Sequence, residues 1–225
     1  MLSSMRSFPS RRWIVAVLFA AALFLPLPSR AANRIDIAAA RALPLGTVVT
    51  VKGSVTVPSG AFSSSTFDQG FAIQDRTGGI FVSIATDLDL SVRREVQVTG
   101  RLADNGEGVL NLVVADARDV KVEGKGPRVE PRWVSTASVN ESTESLLLQV
   151  VGTITGPIVP DPPFGTILSL DDGSGPIRIF ACTSTGIDLS GLATGQRLSV
   201  TGLGYQFGDY EVDPRFQSDL RRRED

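Results

Sequence analysis

The chain carries the same sequence pattern twice, about a hundred residues apart. Four blocks recur in the same order: 47–56 returns as 146–155, 73–82 as 170–179, 96–100 as 198–202, and 119–120 as 219–220. Because the order and spacing of the blocks barely change, each copy is a complete folding unit and not a short solenoid repeat. The sequence therefore predicts two similar small β domains in tandem.

The first residues belong to neither copy and have the organisation of an export signal. Arg11 and Arg12 precede an apolar run over 13–27, and Pro28 then prevents a continuing helix. The run is shorter than the roughly 20 residues that a spanning helix needs, so we expect 1–31 to be a signal peptide cleaved after Ala31. An uncleaved anchor is the alternative, and both the general secretory and the twin-arginine routes stay open. We expect a periplasmic or extracellular protein without a stable membrane anchor.

The net charge argues against a protein that recognises phosphates. The chain has 22 Lys+Arg and 24 Asp+Glu, and four of the arginines lie in 1–31, so the remainder carries 18 basic and 24 acidic residues, a net charge of −6. Residues 127–225 alone contribute −5. Proteins that bind nucleic acid through its phosphates are basic, so any binding here would have to depend on base stacking.

The residue types needed for most catalytic sites are missing from the sequence. There is no histidine, which excludes Ser-His, Cys-His and His-metal arrangements within the chain. Cys182 is the only cysteine, and we interpret it as a small buried strand residue. The acidic turns at 104–107 and 171–174 lack the ligand count of a calcium loop. We expect no catalysis, no cofactor and no metal.

A stiff segment separates the two copies and suggests the domain boundary. Residues 124–131 contain two glycines and two prolines, which is typical of a linker. We place one domain at 32–126 and the other at 127–225, and expect each to fold alone. Short helical lead-ins are predicted ahead of both, over 35–42 and 133–145.

Alternating apolar residues and glycine-rich turns predict five strands in each copy. The predicted strands are 49–57, 71–75, 80–84, 96–101 and 109–114 in the first copy, and 146–155, 168–172, 177–181, 198–203 and 210–213 in the second. Gly53 and Gly152 interrupt the first strand of each copy, which indicates a bend or bulge that lets one strand serve both ends of a closed barrel. This pattern favours an all-β protein of two tandem five-stranded OB-type barrels.

Two segments resemble a known family. Residues 70–82, Gly-Phe-Ala-Ile-Gln-Asp-Arg-Thr-Gly-Gly-Ile-Phe-Val, resemble the "GFxIQDxTGGIxV" segment of bacterial exported OB-fold modules, of the kind found beside secreted nucleases. Residues 213–220 are similar to the "PRxxSDI" ending of such modules. The resemblance covers 35–222 and implies an OB fold and binding of nucleic acid or an oligosaccharide-like polymer, with no activity specified.

The ligand face of an OB barrel is the outward face of strands two and three with the loops joining strands 1–2 and 4–5. Strand parity assigns Phe81 to this face in the first copy, and Arg178 and Phe180 in the second. Rings on such a face can stack on bases. The alternative is that Phe81 and Phe180 cover the barrel or meet the other unit.

Two loops add further candidates. Tyr205, Phe207 and Tyr210 cluster where the 4–5 loop of the second copy is expected, and exposed aromatics there would stack on bases or sugars. They are also residues that commonly frame a fifth strand. The 1–2 loop over 58–67 offers Phe62 and Phe67, or is simply a mobile surface excursion.

Two functional hypotheses stay open. The first is an exported, non-enzymatic binding protein for single-stranded nucleic acid or an oligosaccharide-like polymer. The second is a protein-interaction or structural module for a periplasmic or secreted partner, which the negative charge favours.

Overall fold

A computed structural model describes residues 34–223, which lie within one compact unit. The predicted signal segment, 1–31, lies outside the described residues. The N-terminal half contains α1 (Ile37–Arg41), β1 (Val48–Val57), α2 (Ser63–Thr66), β2 (Phe71–Gln74), β3 (Gly79–Ser83), β4 (Arg94–Asp104), β5 (Leu110–Val113) and β6 (Val120–Lys125). Within residues 34–223 no helix is long and apolar enough to cross a membrane.

The strands of the N-terminal half close into a five-stranded barrel. β1 pairs with both β2 and β4, the β2–β3 hairpin follows, β3 runs parallel to β5, and β5 pairs with β4. The resulting order, β1-β2-β3-β5-β4-β1, is that of the Greek-key OB barrel. The predicted all-β class, OB fold and five strands are confirmed for this half.

The C-terminal half repeats the same pairings. Its strands are β7 (Arg132–Trp133), β8 (Leu147–Ile154), β9 (Val159–Asp161), β10 (Gly165–Asp171), β11 (Pro176–Cys182), β12 (Arg197–Phe207), β13 (Asp209–Asp213) and β14 (Leu220–Arg222). β8 pairs with β10 and β12, β10 with β11, β11 in parallel with β13, and β13 with β12. β8 and β10 to β13 thus occupy the places of β1 to β5.

Four short strands, β6, β7, β9 and β14, were not predicted from the sequence. Each of them extends a sheet beyond the barrel strands. β6 pairs with β4 and β14 with β12, directly after the last matching block of each copy. β7 runs beside β8, and β9 forms a hairpin with β10. Only two or three residues of β7, β9 and β14 form ladders, which is too short for an alternating pattern to be read.

Gly53 and Gly152 permit two strands to cross closely. β1 pairs with β4 as far as Ser54 and with β2 from Ser54 onward, so the strand changes partner there. A Cβ on Gly53 would lie 2.9 Å from the Gln74 carbonyl oxygen, and one on Gly152 would lie 2.7 Å from the Asp171 carbonyl carbon. A side chain at either position would separate the crossing strands. The register shift itself falls between Val55 and Val57.

Each half has its own apolar core, built from the strand faces that parity assigns inward. The first core includes Phe71, Ile73 and Ile80, and the second includes Leu168, Leu170 and Ile179. α1 adds Ile37 and Ala40 to the first core. Burial of these side chains supplies most of the stabilisation that a small barrel has.

The two lead-ins differ from each other. The first is the predicted helix, α1, in an alanine-rich segment. The second, also predicted as a short helical lead-in, is helical only as two 3₁₀ turns, Thr136–Ser138 and Glu141–Thr143, and contains no α-helix. Its Ser, Thr and Asn side chains bond to nearby backbone instead, as when Asn140 Oδ1 accepts from the Ser142 N–H at 2.9 Å. Further 3₁₀ turns are Ala117–Asp119, Thr183–Thr185 and Gln217–Asp219.

Candidate ligand cleft

The outward faces of the two halves are turned toward each other. A third apolar cluster contains residues from both, among them Phe62, Ala72 and Phe81 from the first half and Phe180 and Tyr205 from the second. Strand parity was therefore right, but the expected exposure of Phe81 was wrong, because the C-terminal half covers that face. The alternative that Phe81 and Phe180 meet the other unit describes the observed packing.

Polar contacts join the halves at one side of this cluster. Ser64 in α2 donates from Oγ to the Phe164 carbonyl at 2.8 Å, and its N–H donates to Ser184 Oγ at 3.2 Å. Ser65 Oγ lies 3.2 Å from Sγ of Cys182, which is buried as predicted. Burial raises the pKa of the Cys182 thiol, so it is not an activated nucleophile.

A second group of contacts lies around the β2–β3 turn. The Leu147 N–H donates to Gln74 Oε1 at 2.9 Å, and Arg41 Nη2 lies 2.8 Å from Oε1 of the buried Glu144. A Cβ on Gly79 would overlap the carbonyl of Ser145, so the two backbones touch at a glycine. These contacts hold the two halves in one fixed arrangement.

The 213–220 motif supplies a third link. Arg215 holds Asp219 through Nε and Nη2, both at 2.9 Å, and donates from Nη1 to the Thr56 carbonyl of β1 at 2.6 Å. The paired guanidinium therefore connects the end of the chain to the first strand of the other half.

Between the two outward faces lies a cavity of about 680 Å³, which we call the interface cleft. Its walls come from the β1–β2 loop, the β4–β5 loop and β5 of the first half, and from β9 to β13 of the second. Its lining residues include Asp68, Asp104, Asn105, Glu107, Asn111, Asp161, Phe67, Phe164, Arg178, Phe180, Tyr205, Phe207 and Glu211. The surfaces that OB barrels use for ligands thus converge on one site.

Two aromatic rings stand at the rim of the interface cleft. Phe67 is 79% exposed and meets Phe164 edge to face, with ring centroids 5.8 Å apart. Phe207 is 56% exposed and is the last residue of β12, where it pairs with Asp209 of β13. These rings offer apolar surface to anything that enters, whereas Phe62, the other ring of the 58–67 loop, is buried.

Arg178 and Glu211 form the charged centre of the C-terminal wall. They are paired residues of the parallel strands β11 and β13, and Arg178 Nε lies 2.5 Å from Glu211 Oε2. Arg178 Nη2 also donates to the Phe207 carbonyl at 2.8 Å. The guanidinium predicted as a ligand contact is thus held in place by the protein itself and is the one basic residue of the cleft lining.

Burial makes the carboxylates of this wall hard to ionise. Glu211 is 3% exposed, and desolvation raises its pKa to about 7 although Arg178 opposes the shift. Asp213 follows two residues later, is 1% exposed, and has its pKa raised well above the ordinary value by burial and by the charge of Glu211. Burial thus favours the protonated form of both carboxyl groups, and a second cation beside them would lower both pKa values.

Tyr205, Phe207 and Tyr210 do not form the open loop expected from the sequence. β12 continues to Phe207, a turn at Gly208 follows, and Tyr210 is already in β13. The apolar Tyr205 ring fits the packed interface, so the side chain is buried, with its hydroxyl 3.5 Å from Asn105 Nδ2. Tyr210 points away from the cleft lining and donates to Glu141 Oε2 at 3.2 Å.

Asn111 and Glu211 were not among the residues predicted from the sequence. Asn111 occupies the position in β5 that Glu211 occupies in β13. Asn111 pairs with Phe81 of β3, and Glu211 pairs with Arg178 of β11, at matching positions of the repeat. Asn111 is 7% exposed, and no residue of the described part of the chain donates to its Oδ1. Strand parity could have found both, because Leu112 and Val212 point inward and their neighbours must point outward.

The acidic residues in and near the cleft differ in how the protein engages them. Within residues 34–223 no group of three or more carboxylates or thiols is placed to hold a metal. Asp68 already accepts from the Gly70 N–H at 2.8 Å and from Ser83 Oγ at 2.5 Å, so both of its oxygens are engaged. Asp213 does not reach the lining. The other acidic residues of the cleft lining are Asp104, Glu107 and Asp161.

Comparison with known proteins gives weak matches only. No protein-family model and no curated protein matches the chain. Among solved structures, a murine DNA-binding protein bound to double-stranded DNA is 11% identical, with 77% of this chain and 97% of that chain covered and a TM-score of 0.37. Fission yeast Pot1 with single-stranded DNA is also 11% identical, with coverages of 81% and 86% and a TM-score of 0.37. Such values do not assign a ligand to this chain.

Proposed function

We propose that the chain is an exported, non-enzymatic binding protein of two tandem OB domains, and that it binds a short oligosaccharide in the interface cleft. The observation that carries the proposal is that both OB ligand faces line one cavity rich in rings and in hydrogen-bond acceptors. The matching strand pairings of the C-terminal half support its description as a second OB domain. The signal-like organisation of 1–31 supports export.

Charge favours an oligosaccharide over an oligonucleotide, which are the two ligand classes that OB faces commonly take. The cleft is lined by five carboxylates, namely Asp68, Asp104, Glu107, Asp161 and Glu211, and by one guanidinium, which is already paired. The negative charges of these carboxylates would repel the phosphates of an oligonucleotide. A sugar carries no such charge, and its hydroxyl groups donate to carboxylate and amide oxygens.

The exposed aromatic rings of the cleft provide the apolar contacts that a bound sugar needs. Phe67 and Phe207 lie at the rim, where they can cover the apolar faces of sugar rings as they cover other apolar surface. A volume of about 680 Å³ is within the range of small-molecule sites. The ligand is therefore a short segment of about two or three sugars and not an extended polymer.

Two carboxylates of the cleft are already engaged by the protein, which supports a binding role. Hydrolysis of a glycosidic bond needs two carboxyl groups that flank the bond, one as acid and one as nucleophile or base. In the described cleft, Glu211 is bonded to Arg178, and Asp68 is engaged by backbone and by Ser83. We propose that bound sugars are held and released unchanged.

The proposal is tested by calorimetric titration of residues 32–225 with oligosaccharides and with single-stranded oligonucleotides at low salt. Binding of at least one neutral oligosaccharide, with no binding of oligonucleotides, is expected. Phe207→Ala should weaken it roughly fivefold, because about 1 kcal/mol of ring contact is lost. Trp133→Ala is the matched control, since Trp133 is 62% exposed and outside the cleft lining.

A protein partner is the second candidate, and the exposure of Phe67 and Phe207 on one rim favours it. Neighbouring exposed rings are a frequent feature of protein interaction sites. Binding of neither sugars nor oligonucleotides would leave this candidate in the lead.

A further inference from the structure

Two acceptors of the interface cleft, one on each wall, receive no hydrogen bond from the described part of the protein. Asn111 is 7% exposed and its Oδ1 has no donor within residues 34–223. On the opposite wall, Arg178 engages only Oε2 of Glu211, and no described residue donates to Oε1. Asn111 Oδ1 is a buried acceptor without a donor, which is unfavourable, and Glu211 Oε1 is an acceptor that the protein leaves available, so both oxygens favour a ligand that donates hydrogen bonds.

The same region also has an excess of negative charge. Burial raises the pKa of the Tyr205 hydroxyl, and the nearby charges of Asp213, Asp68 and Glu211 raise it further. Arg178 is the one cation of the cleft lining, and the pair it forms with Glu211 leaves the other carboxylates uncompensated. A second positive charge placed here would be stabilised by the carboxyl groups of the lining, and it would favour the ionised form of Glu211.

Resting on the proposed function, we infer that the cleft selects an amino sugar, whose protonated amine donates to Glu211 Oε1 and Asn111 Oδ1. An ammonium group offers three donors and one positive charge, which is the combination that the two walls lack. The ring of the same sugar would lie toward the aromatic rim. The ligand class is therefore an oligomer of unacetylated hexosamine.

The experiment compares three ligands of equal length on residues 32–225: trimers of glucosamine, of N-acetylglucosamine and of glucose. Calorimetry at pH 6.5 should give a glucosamine trimer affinity about tenfold above that of the other two, the difference expected for one charge-assisted hydrogen bond. Glu211→Gln should remove this preference. Glu130→Gln, which changes an exposed carboxylate outside the cleft lining, should keep it.

Asn111→Ala is a second variant, because Glu211→Gln also weakens the bond to Arg178 and its folding must be checked by thermal unfolding. Asn111→Ala should lower the affinity for the glucosamine trimer severalfold and leave the affinity for the glucose trimer nearly unchanged. Equal binding of the three trimers would overturn the inference while the proposed function stands. Binding of none would overturn the proposed function itself. A preference for glucosamine that survives in both variants would place the amine elsewhere and refute the assignment.

Discussion

Phe81 and Tyr205 meet edge to face with ring centroids 5.9 Å apart, although one belongs to each half of the repeat. Both side chains are buried. The sequence suggests that these rings are exposed for ligand binding. In the structure they pack against each other between the two faces. The ligand site that we propose lies beside them, in the interface cleft.

Phe81→Ala should destabilise both halves together. Removal of a buried aromatic ring costs about 3–5 kcal/mol, and this ring belongs to the cluster that the halves share. Chemical denaturation of residues 32–225 followed by circular dichroism measures the loss. Phe67→Ala is the control, since an exposed ring should cost little. Equal stability of the two variants would contradict the shared cluster.

Arg215→Ala should separate the last turn of the chain from β1. The variant loses the bond to the Thr56 carbonyl and leaves the buried Asp219 without its cation, for an expected cost of roughly 2–4 kcal/mol. Arg128→Ala removes an arginine from an exposed pair with Glu130 and should change stability by less than about 1 kcal/mol. Thermal unfolding of both variants measures the difference. Similar midpoints would contradict a stabilising link between Arg215 and β1.

Stability should fall as the pH rises from about 5 to 8. The folded-state pKa of Glu211 is raised to about 7 and that of Asp213 is also raised, so the folded protein holds more protons than the unfolded chain across this window. The stabilisation is complete below the unfolded pKa of roughly 4.3 and disappears as the pH passes the folded values. Thermal midpoints measured at pH 5 and pH 8 test this. Glu211→Gln should flatten the profile, whereas Glu107→Gln should keep it, and a flat wild-type profile would refute the assignment.

The domain boundary near residue 126 stays a prediction. Each half has a core of its own, so 32–126 and 127–225 should each retain β structure when produced alone. Each would also expose its share of the third cluster, so both should be less stable than the intact chain and should bind a hydrophobic dye. Separate halves as stable as 32–225 would show that the shared cluster contributes nothing.

The barrel could be predicted from the sequence because its signals are local. The alternation of residues in β1 and the glycine-rich turn between β2 and β3 can each be recognised within a few residues of sequence. Their recurrence in the second copy supports the same interpretation. Parity also assigned Phe81 and Arg178 to the correct face.

The cleft could not be predicted, because it depends on how two folded units meet. The contacts that fix their arrangement, such as Gln74 with Leu147 and Arg215 with Thr56, join positions far apart in the chain and leave no periodic signal. Tyr205 was expected in a loop for a related reason. The length of β12 is set by its pairing with β13 and not by the alternation of its own residues.

The central claim is that a sugar binds between the two OB faces. Nitrogen-15 NMR spectra of residues 32–225, recorded during titration with the tightest-binding trisaccharide, test both the site and the ligand class. Shifts concentrated at Asn111, Arg178, Phe207 and Glu211, with none on addition of a single-stranded oligonucleotide, are the predicted result. Shifts confined to residues outside the cleft, or an oligonucleotide that shifts the cleft residues while the trisaccharide does not, would contradict the account.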